Sequence, residues 1–586
     1  MNPTAEPLPS SFIERVFLMS WRPFAWLAVS VLLTYGHTVF FQEYTYLDDY
    51  YLIVDFQPLL HDPAYLLKAF TEDVFHRNQA GLYYRPLLSL SLMLDANIGG
   101  TNPAVFHCTN IVLHLIGTIL VMRLLTGFGL PRPFAFFSSL LFAVHPALTQ
   151  TVVWIPGRNE SLLAIFVLST LLALLRFQAN RLLRWLFLSI LFFLLALFTK
   201  ETALMLLPLL AMILVWKSTP RLSAAHYLLW GIGILFILVY WSLLRKAAMI
   251  VPLINYSEAV SIILKNSWTI IPYLGQIVWP FPIFTVAVAQ DLPLVPGLVG
   301  LACLVVILLL PGKKDWKLIL FGLAWFAIFL LPSLYRLPSS LYPMRFFEHR
   351  VYIAAIGLLF VLGGLGAEPG ARLSRHVRHG IFALLAAGSA FLSFQHSFSF
   401  QNAITFGEQT ARTSPRSTFV HNEMTMMQIP PQWTPPLDFS KRLLSPDDYY
   451  TRLQGIEHSL VLAPSPPGSG DSNLVLGAVY FAMGRLMSAE RSLQAARSTE
   501  PNNAKPEFNL GVLYYAGHQE GLAEQHWQRT IELDSTFAEG HRNLCYLYYS
   551  QKKYTAAARH AERAQKFGAE IPQELLSVLA KAMRRP

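Results

Sequence analysis

Charge is scarce in this chain. Of 586 residues only 14% are Asp, Glu, Lys or Arg, while 54% are apolar, and the mean hydropathy is +0.42. That balance excludes an ordinary soluble protein and fits a polytopic membrane protein. Cysteine is nearly absent. Cys108 and Cys303 lie in apolar runs and Cys545 in a polar helical repeat, so no disulfide framework is implied and the compartment is left unspecified. Residues 1–23 lack a small-residue cleavage site after a short apolar core, so the first apolar run is read as a retained anchor. The net charge of +10 would suit nucleic acid, but its placement along the chain argues for no nucleic-acid partner.

The apolar runs fall at 24–41, 104–125, 133–150, 160–177, 183–199, 202–217, 226–245, 293–311, 316–334, 349–367 and 379–397. Their lengths approach the roughly 20 residues that a membrane helix needs, so about 11 spans are expected. The stretch 257–285 is broken by Pro272, Pro280 and Pro282 and is left open between an interfacial helix and a span. With eleven spans, Arg15 and Arg22, Arg123 and Arg132, the 176–184 arginines, Lys217 and Arg221, the 313–317 lysines and the 372–378 arginines share one side. Lys and Arg in short loops mark the cytoplasm, so most of the basic excess is a topology signal. The opposite face then receives the first loop, 42–103, and everything after 397.

The rest of the chain is polar. From 471 onward a period of 34 is visible: Leu476-Gly477, Leu510-Gly511 and Leu544-Cys545; Tyr480, Tyr514 and Tyr548; Ala489, Ala523 and Ala557. That is the tetratricopeptide pattern of paired helices. The expected fold is therefore all-α. A cytoplasmic N-terminus (1–23) leads into a helical membrane domain (24–397), then a linker with a degenerate repeat (398–470), then a repeat α-solenoid (471–586). The segments 429–439 and 463–472 read as Pro/Gly/Ser linkers. Three stacked repeats form a surface suited to a protein or peptide; a plain structural cap is the alternative.

The candidate chemistry lies on the non-cytoplasmic face. The first loop carries Asp48 and Asp49 side by side just past the first span, and carboxylates at a hydrocarbon boundary call for a function or a partner. Arg85, Arg158, Lys200 and Arg350 converge on the same face, where little water competes for an anion. A phosphate on a lipid carrier would lie at this depth and would need Arg or Lys for its leaving-group charge. One aspartate could take the proton of an acceptor hydroxyl. Glu160, Glu201, Glu348 and His145 are further site candidates. The bland readings are a solvated loop for the aspartates and snorkelling flanks for Arg158 and Lys200. His107 and His114 read as polar packing residues, because no third metal ligand is at hand. Asn159-Glu160-Ser161 fits a glycosylation pattern but lies too close to the membrane to serve as one.

The segments 47-LDDY-50, 83-YYRPLLSLSLMLD-95, 106-FHCTNIVLH-114, 145-HP-146 with 157-GRNE-160, 199-TKET-202 and 348-EHRVYI-353 resemble one family. They look like the transmembrane and tetratricopeptide repeat O-mannosyltransferases and their bacterial relatives, similar in turn to protein O-mannosyltransferases. The resemblance implies the GT-C fold and an inverting glycosyltransferase with a polyprenyl-phosphate-sugar donor. The catalytic position would be the Asp48–Asp49 pair, with Asp48 preferred as base. Its partners would be membrane lipid, the lipid-linked sugar and a protein or peptide acceptor. No metal ligand set is assigned: the first loop offers carboxylates but no defined cage, so a divalent ion is left open. The site would face the periplasm in a bacterium or the endoplasmic reticulum lumen in a eukaryote. The chain departs from the family at Asn159-Glu160 and at Val351 after Glu348-His349-Arg350, so the sugar and acceptor stay open. Two other readings stand beside it: an O-antigen-ligase-like or polymerase-like enzyme, and a non-catalytic repeat scaffold.

Overall fold

The computed structural model describes residues 14–45, 48–75, 83–217, 223–248, 256–288, 291–309, 311–335, 345–365, 375–414, 470–482, 486–516, 519–569 and 571–583. The chain divides into two compact units, Met1–Thr413 and Ser414–Pro586.

The first unit is almost wholly helical. Its main helices are α1 Arg22–Tyr35, α2 Pro86–Gly99, α3 Pro103–Gly127, α4 Arg132–Val144, α5 Thr149–Val153, α6 Arg158–Asn180, α7 Leu183–Thr199 and α8 Leu206–Lys217. They continue with α9 Ala224–Ala248, α10 Tyr256–Asn266, α11 Ile270–Val278, α12 Val295–Leu309, α13 Trp316–Leu334, α14 Val351–Gly364, α15 Arg375–Ser397 and α16 Ala403–Thr413. Local chemistry sets several starts. Pro86 and Pro103 take first-turn positions, where a missing N–H costs nothing, and the Asn102 side chain accepts from Ala104 N at 3.0 Å.

Each of the eleven expected segments falls on helix. Six helices among the described residues are long and apolar enough to cross a membrane, and three more are apolar but shorter. The chain is thus a multi-pass membrane protein. One expected span, 133–150, is not a single rod. It breaks at His145-Pro146, and the pieces on either side are bent by 61°, because proline withdraws a backbone donor and clashes with the preceding turn. The open stretch 257–285 holds two short helices followed by extended chain, with no span-length helix.

Without a hydrophobic drive between helices in lipid, close packing carries the association. α13 and α14 show this directly. A Cβ added at Gly357 would come within 2.5 Å of Gly322 O and 2.7 Å of Phe326 N, so the two backbones touch. Phe128, Phe321, Trp325 and Phe360 close the same region with ring centroids about 5–6 Å apart.

Two features aim the polar residues. A two-stranded antiparallel pair, β1 Val286–Val288 and β2 Arg345–Phe347, registers Val286 with Phe347 and Val288 with Arg345. It delivers Glu348-His349-Arg350 to a fixed place. The first loop packs Leu52, Ile53, Leu60, Tyr65 and Val74 onto Leu88, Leu92 and Ala96 of α2, together with Phe106 and Ile155.

The second unit contains α17 Gly470–Ala482, α18 Leu486–Thr499, α19 Ala504–Ala516, α20 Glu520–Leu533, α21 Ala538–Ser550, α22 Tyr554–Lys566 and α23 Gln573–Met583. Helix starts at 470, 504 and 538, and at 486, 520 and 554, repeat every 34 residues, matching the sequence period. Ala523, Trp527, Leu544, Ala557 and Ala561 share one core. The expected linker at 463–472 ends early, since Gly470 already opens α17. The degenerate copy at 415–424 and the linker 429–439 lie outside the described residues.

Candidate active site

The start of α6 organises the polar residues of the membrane unit. Gly157 makes that start feasible: a Cβ there would lie 2.7 Å from Gln150 O and 2.9 Å from Thr151 O, so only glycine lets the turn fold back on α5. Successive helical residues are about 100° apart, so Arg158, Asn159 and Glu160 fan out to three neighbours.

Arg158 points inward and is fully buried. Its Nη1 donates to Asp95 Oδ2 at 2.5 Å and Ser91 Oγ at 3.0 Å, its Nε to Asn110 Oδ1 at 2.8 Å, and its Nη2 to the Phe106 carbonyl at 2.8 Å. Thr109 Oγ1 donates to the other Asp95 oxygen at 2.7 Å. Asn110 in turn donates to the Val152 and Trp154 carbonyls at 3.0 and 3.2 Å. The guanidinium fork is therefore occupied by protein. The expectation that Arg158 holds a donor phosphate gives way, because a fully buried cation already paired with Asp95 and bonded to three further acceptors gives a ligand no access.

Asn159 takes the second direction. With its amide oriented to satisfy both neighbours, it accepts from Arg85 Nη1 at 3.3 Å and donates to Thr199 O at 2.9 Å. Arg85 also stacks over Tyr83, 4.6 Å from the ring centroid, and its buried Nε finds no acceptor among the described residues. Glu160 takes the third direction and pairs with Lys200, which stands where α7 ends and the chain turns extended. Glu201 follows in the next turn and is half-buried.

The β2 hairpin edge brings in the remaining candidates. His349 packs between Trp154 and Phe347, each 5.3 Å away, and its backbone N–H donates to Gln150 Oε1 at 2.9 Å. Its Nδ1 also lies 3.0 Å from Gln150 Oε1. Glu348 is buried against His396, Oε2 to Nε2 at 2.8 Å. Burial pushes its carboxyl up and His396 pulls it back down. Arg350 lies over the Phe347 ring at 5.1 Å and beside the buried Tyr273.

One candidate turns out to hold backbone. His145 Nδ1 accepts from Ala147 N at 3.2 Å and Nε2 donates to Ile277 O at 2.9 Å, so both ring nitrogens brace the helix break. His114 likewise bonds Tyr352 Oη at 2.8 Å and Ala143 O at 2.9 Å, a packing role. The two aspartates differ. Asp49 is buried, and its Oδ2 accepts from Thr45 N and Thr45 Oγ1, both at 2.8 Å. Asp48 is half-buried. Among the described residues no group of three or more His, Cys, Asp or Glu side chains is arranged to hold a metal.

Residues 86–244 match the family model of the dolichyl-phosphate-mannose-protein mannosyltransferases. The chain is similar to the protein O-mannosyl-transferases. It is 40% identical over 99 residues to Protein O-mannosyl-transferase TMTC1 of Mus musculus, covering 17% of this chain and 10% of the relative. It is 33% identical over 134 residues to Protein O-mannosyl-transferase F38B6.6 of Caenorhabditis elegans, covering 21% and 19%. A third, Protein O-mannosyl-transferase TMTC2 of Mus musculus, is 38% identical over 98 residues, covering 17% and 12%. The chain thus spans about a tenth to a fifth of the length of these relatives. The resemblance seen in the motifs is borne out. The family match contains Arg85's helix, Asp95, Arg158, Glu160 and Lys200, and begins beyond Asp48 and Asp49.

Sequence reasoning overlooked Asp95, Asn110, Gln150 and His396. The signal was available for two of them. Asp95 is a lone carboxylate in an apolar helix, and His396 follows a long apolar stretch at the end of another, and each requires a partner.

Proposed function

We propose that the protein transfers a sugar from a polyprenyl-phosphate carrier to a hydroxyl on a protein acceptor, at the non-cytoplasmic face of its membrane. The acceptor oxygen attacks the anomeric carbon as the carbon–oxygen bond to phosphate breaks. Attack from the opposite face inverts that carbon. Asp48 takes the hydroxyl proton, and the departing phosphate carries the charge away to Arg85, assisted by Lys200 and Arg350. The repeat unit engages the acceptor. Eleven spans put the first loop and the repeats on one side.

The observation that carries this reading is the uncommitted cation. Arg85 leads into the helix where the family match begins, keeps a buried donor without an acceptor among the described residues, and meets Asn159, the neighbour of the Glu160 that pairs with Lys200. A partly buried guanidinium with spare donors suits a phosphate, whose oxygens match its fork.

The test uses purified full-length protein in nanodiscs with a mannose-charged polyprenyl phosphate. Transfer to acceptor protein is expected. Arg85→Gln should raise the donor KM about ten- to a hundredfold, the equivalent of one charge-assisted contact of roughly 1.5–3 kcal/mol. Its melting temperature should not change. An unchanged donor KM would move the phosphate elsewhere, and no transfer from any polyprenyl-phosphate sugar would favour the scaffold.

A further inference from the structure

We infer that the buried Asp95–Arg158 pair is a positioning device for donor binding: it sets the register of α2 against α6 and so holds Arg85 and Lys200 in place relative to one another. The inference rests on the functional reading above.

Both partners are sealed from solvent, Arg158 at 0% and Asp95 at 1% side-chain exposure. The pair joins elements far apart in sequence. Asp95 and Ser91 belong to α2, Phe106, Thr109 and Asn110 to α3, and Arg158 to the first turn of α6. Asn110 extends the network to the carbonyls of Val152 and Trp154, which fix the turn before α6. Such a network ties its charges together in one arrangement, and sliding either helix separates a buried charge from its partner in a low-dielectric setting.

That register bears on the phosphate cations. Arg85 stands immediately before α2, ten residues or about 15 Å of helix from Asp95. Asn159 and Glu160 follow Arg158 directly, and they hold Arg85 and Lys200 respectively. A shift of α2 along α6 therefore alters the Arg85–Asn159 contact and the separation of Arg85 from Lys200. Neither Asp95 nor Arg158 reaches solvent, so the pair acts through these neighbours and touches no substrate.

The experiment compares four variants of the full-length protein in nanodiscs, scored for donor KM, acceptor KM, kcat and melting temperature. Asp95→Asn leaves the buried guanidinium without a counter-charge and should lower the melting temperature and raise the donor KM together. The double variant Asp95→Leu, Arg158→Met removes both charges, so stability should return toward wild type, as buried pairs replaced by apolar residues commonly allow. Its donor KM should stay about tenfold or more above wild type, with kcat at saturating donor and acceptor KM little changed. Thr109→Val, which removes one hydrogen bond and no charge, is the mild variant, expected to raise donor KM about two- to tenfold. Arg85→Gln is the fourth. A double variant with recovered stability and a wild-type donor KM would show a purely structural pair and overturn the inference. So would a wild-type donor KM in Thr109→Val if the double variant does not accumulate. If Arg85→Gln also leaves donor KM unchanged, the phosphate assignment itself fails; if only Arg85→Gln raises it, the assignment stands and the positioning role falls.

Discussion

The adjacent aspartates differ in burial, and the difference separates their expected roles. Asp49 is buried and its Oδ2 already accepts two hydrogen bonds from Thr45. Those bonds tie the loop backbone to Oδ2 and hold the carboxylate inside the protein. Asp48, half-buried, is the one proposed to face the acceptor. Asp48→Asn keeps the side chain's shape and removes its proton affinity, so kcat should fall about a hundred- to ten-thousandfold. Asp49→Asn retains an oxygen that can accept from Thr45 but loses the charge assistance. Hydrogen bonds to charged groups contribute about 1.5–3 kcal/mol against about 0.5–1.5 for neutral ones, so two such bonds give a loss of roughly 2 kcal/mol. That loss should appear as a lower melting temperature with kcat within a few-fold, and Thr45→Val should reproduce it. The assay is single-turnover transfer from a polyprenyl-phosphate sugar, alongside thermal unfolding of the same preparations. Loss of transfer in Asp49→Asn at unchanged stability, with Asp48→Asn active, would reverse the assignment. Wild-type transfer in the double variant would refute the enzyme reading.

Three further outcomes follow. Glu160→Gln frees Lys200 from its internal carboxylate, so donor KM should fall, by about tenfold if one charge-assisted contact is released; an unchanged or higher KM would show that Lys200 does not meet the donor. A cysteine at position 470, in a chain stripped of its three native cysteines, should react with an impermeant thiol reagent in intact cells if eleven spans are present; labelling only after permeabilisation would refute that topology. In the repeat unit, burial lowers His541 and holds His560 down to about 4, and the two rings face each other, Nδ1 to Nδ1 at 3.0 Å, with Arg559 and Arg563 adding repulsion. Because both folded-state values lie below the ordinary one near 6.5, the unfolded chain binds protons first. Stability of this unit should hold above about pH 6.5 and decline toward pH 4, read by hydrogen exchange of 538–566, and His560→Gln should flatten the decline.

Much of the fold was legible because its signals are local. Each of the eleven apolar runs falls on helix, although α2, α10, α11 and α16 lie outside them, and the period of 34 reappears as the spacing of helix starts. The bend at His145-Pro146 was foreshadowed by the proline, but its function as a brace, with the His145 ring tied to Ala147 and Ile277, depends on a contact 132 residues away. The site was less legible for the same reason. Sequence collects cations onto a face but does not say which are already neutralised. Arg158 and Arg85 look alike as flanking arginines until Asp95, 63 residues from Arg158, is seen to occupy one of them.

The pairing of charges sorts the four cations by what each can still do. In a low-dielectric setting an ionised side chain must have a partner, and a partner supplied by the protein is one a substrate must displace. Arg158 is matched by a carboxylate with no solvent access, so displacing it would strand two buried charges. Lys200 is also matched by a buried carboxylate, Glu160, yet its own side chain is 15% exposed, so an incoming phosphate can reach it where it cannot reach Arg158. Arg85 is held by an amide and an aromatic ring, and Arg350 by an aromatic ring, neither of which neutralises charge. The electrostatic cost of handing each cation to a donor therefore rises from Arg85 and Arg350 through Lys200 to Arg158. On that ordering, the cations proposed to bind the donor, Arg85 and Arg350, are those whose partners are neutral, and Arg158, whose ion pair is sealed from solvent, is the one inferred to keep the others in place.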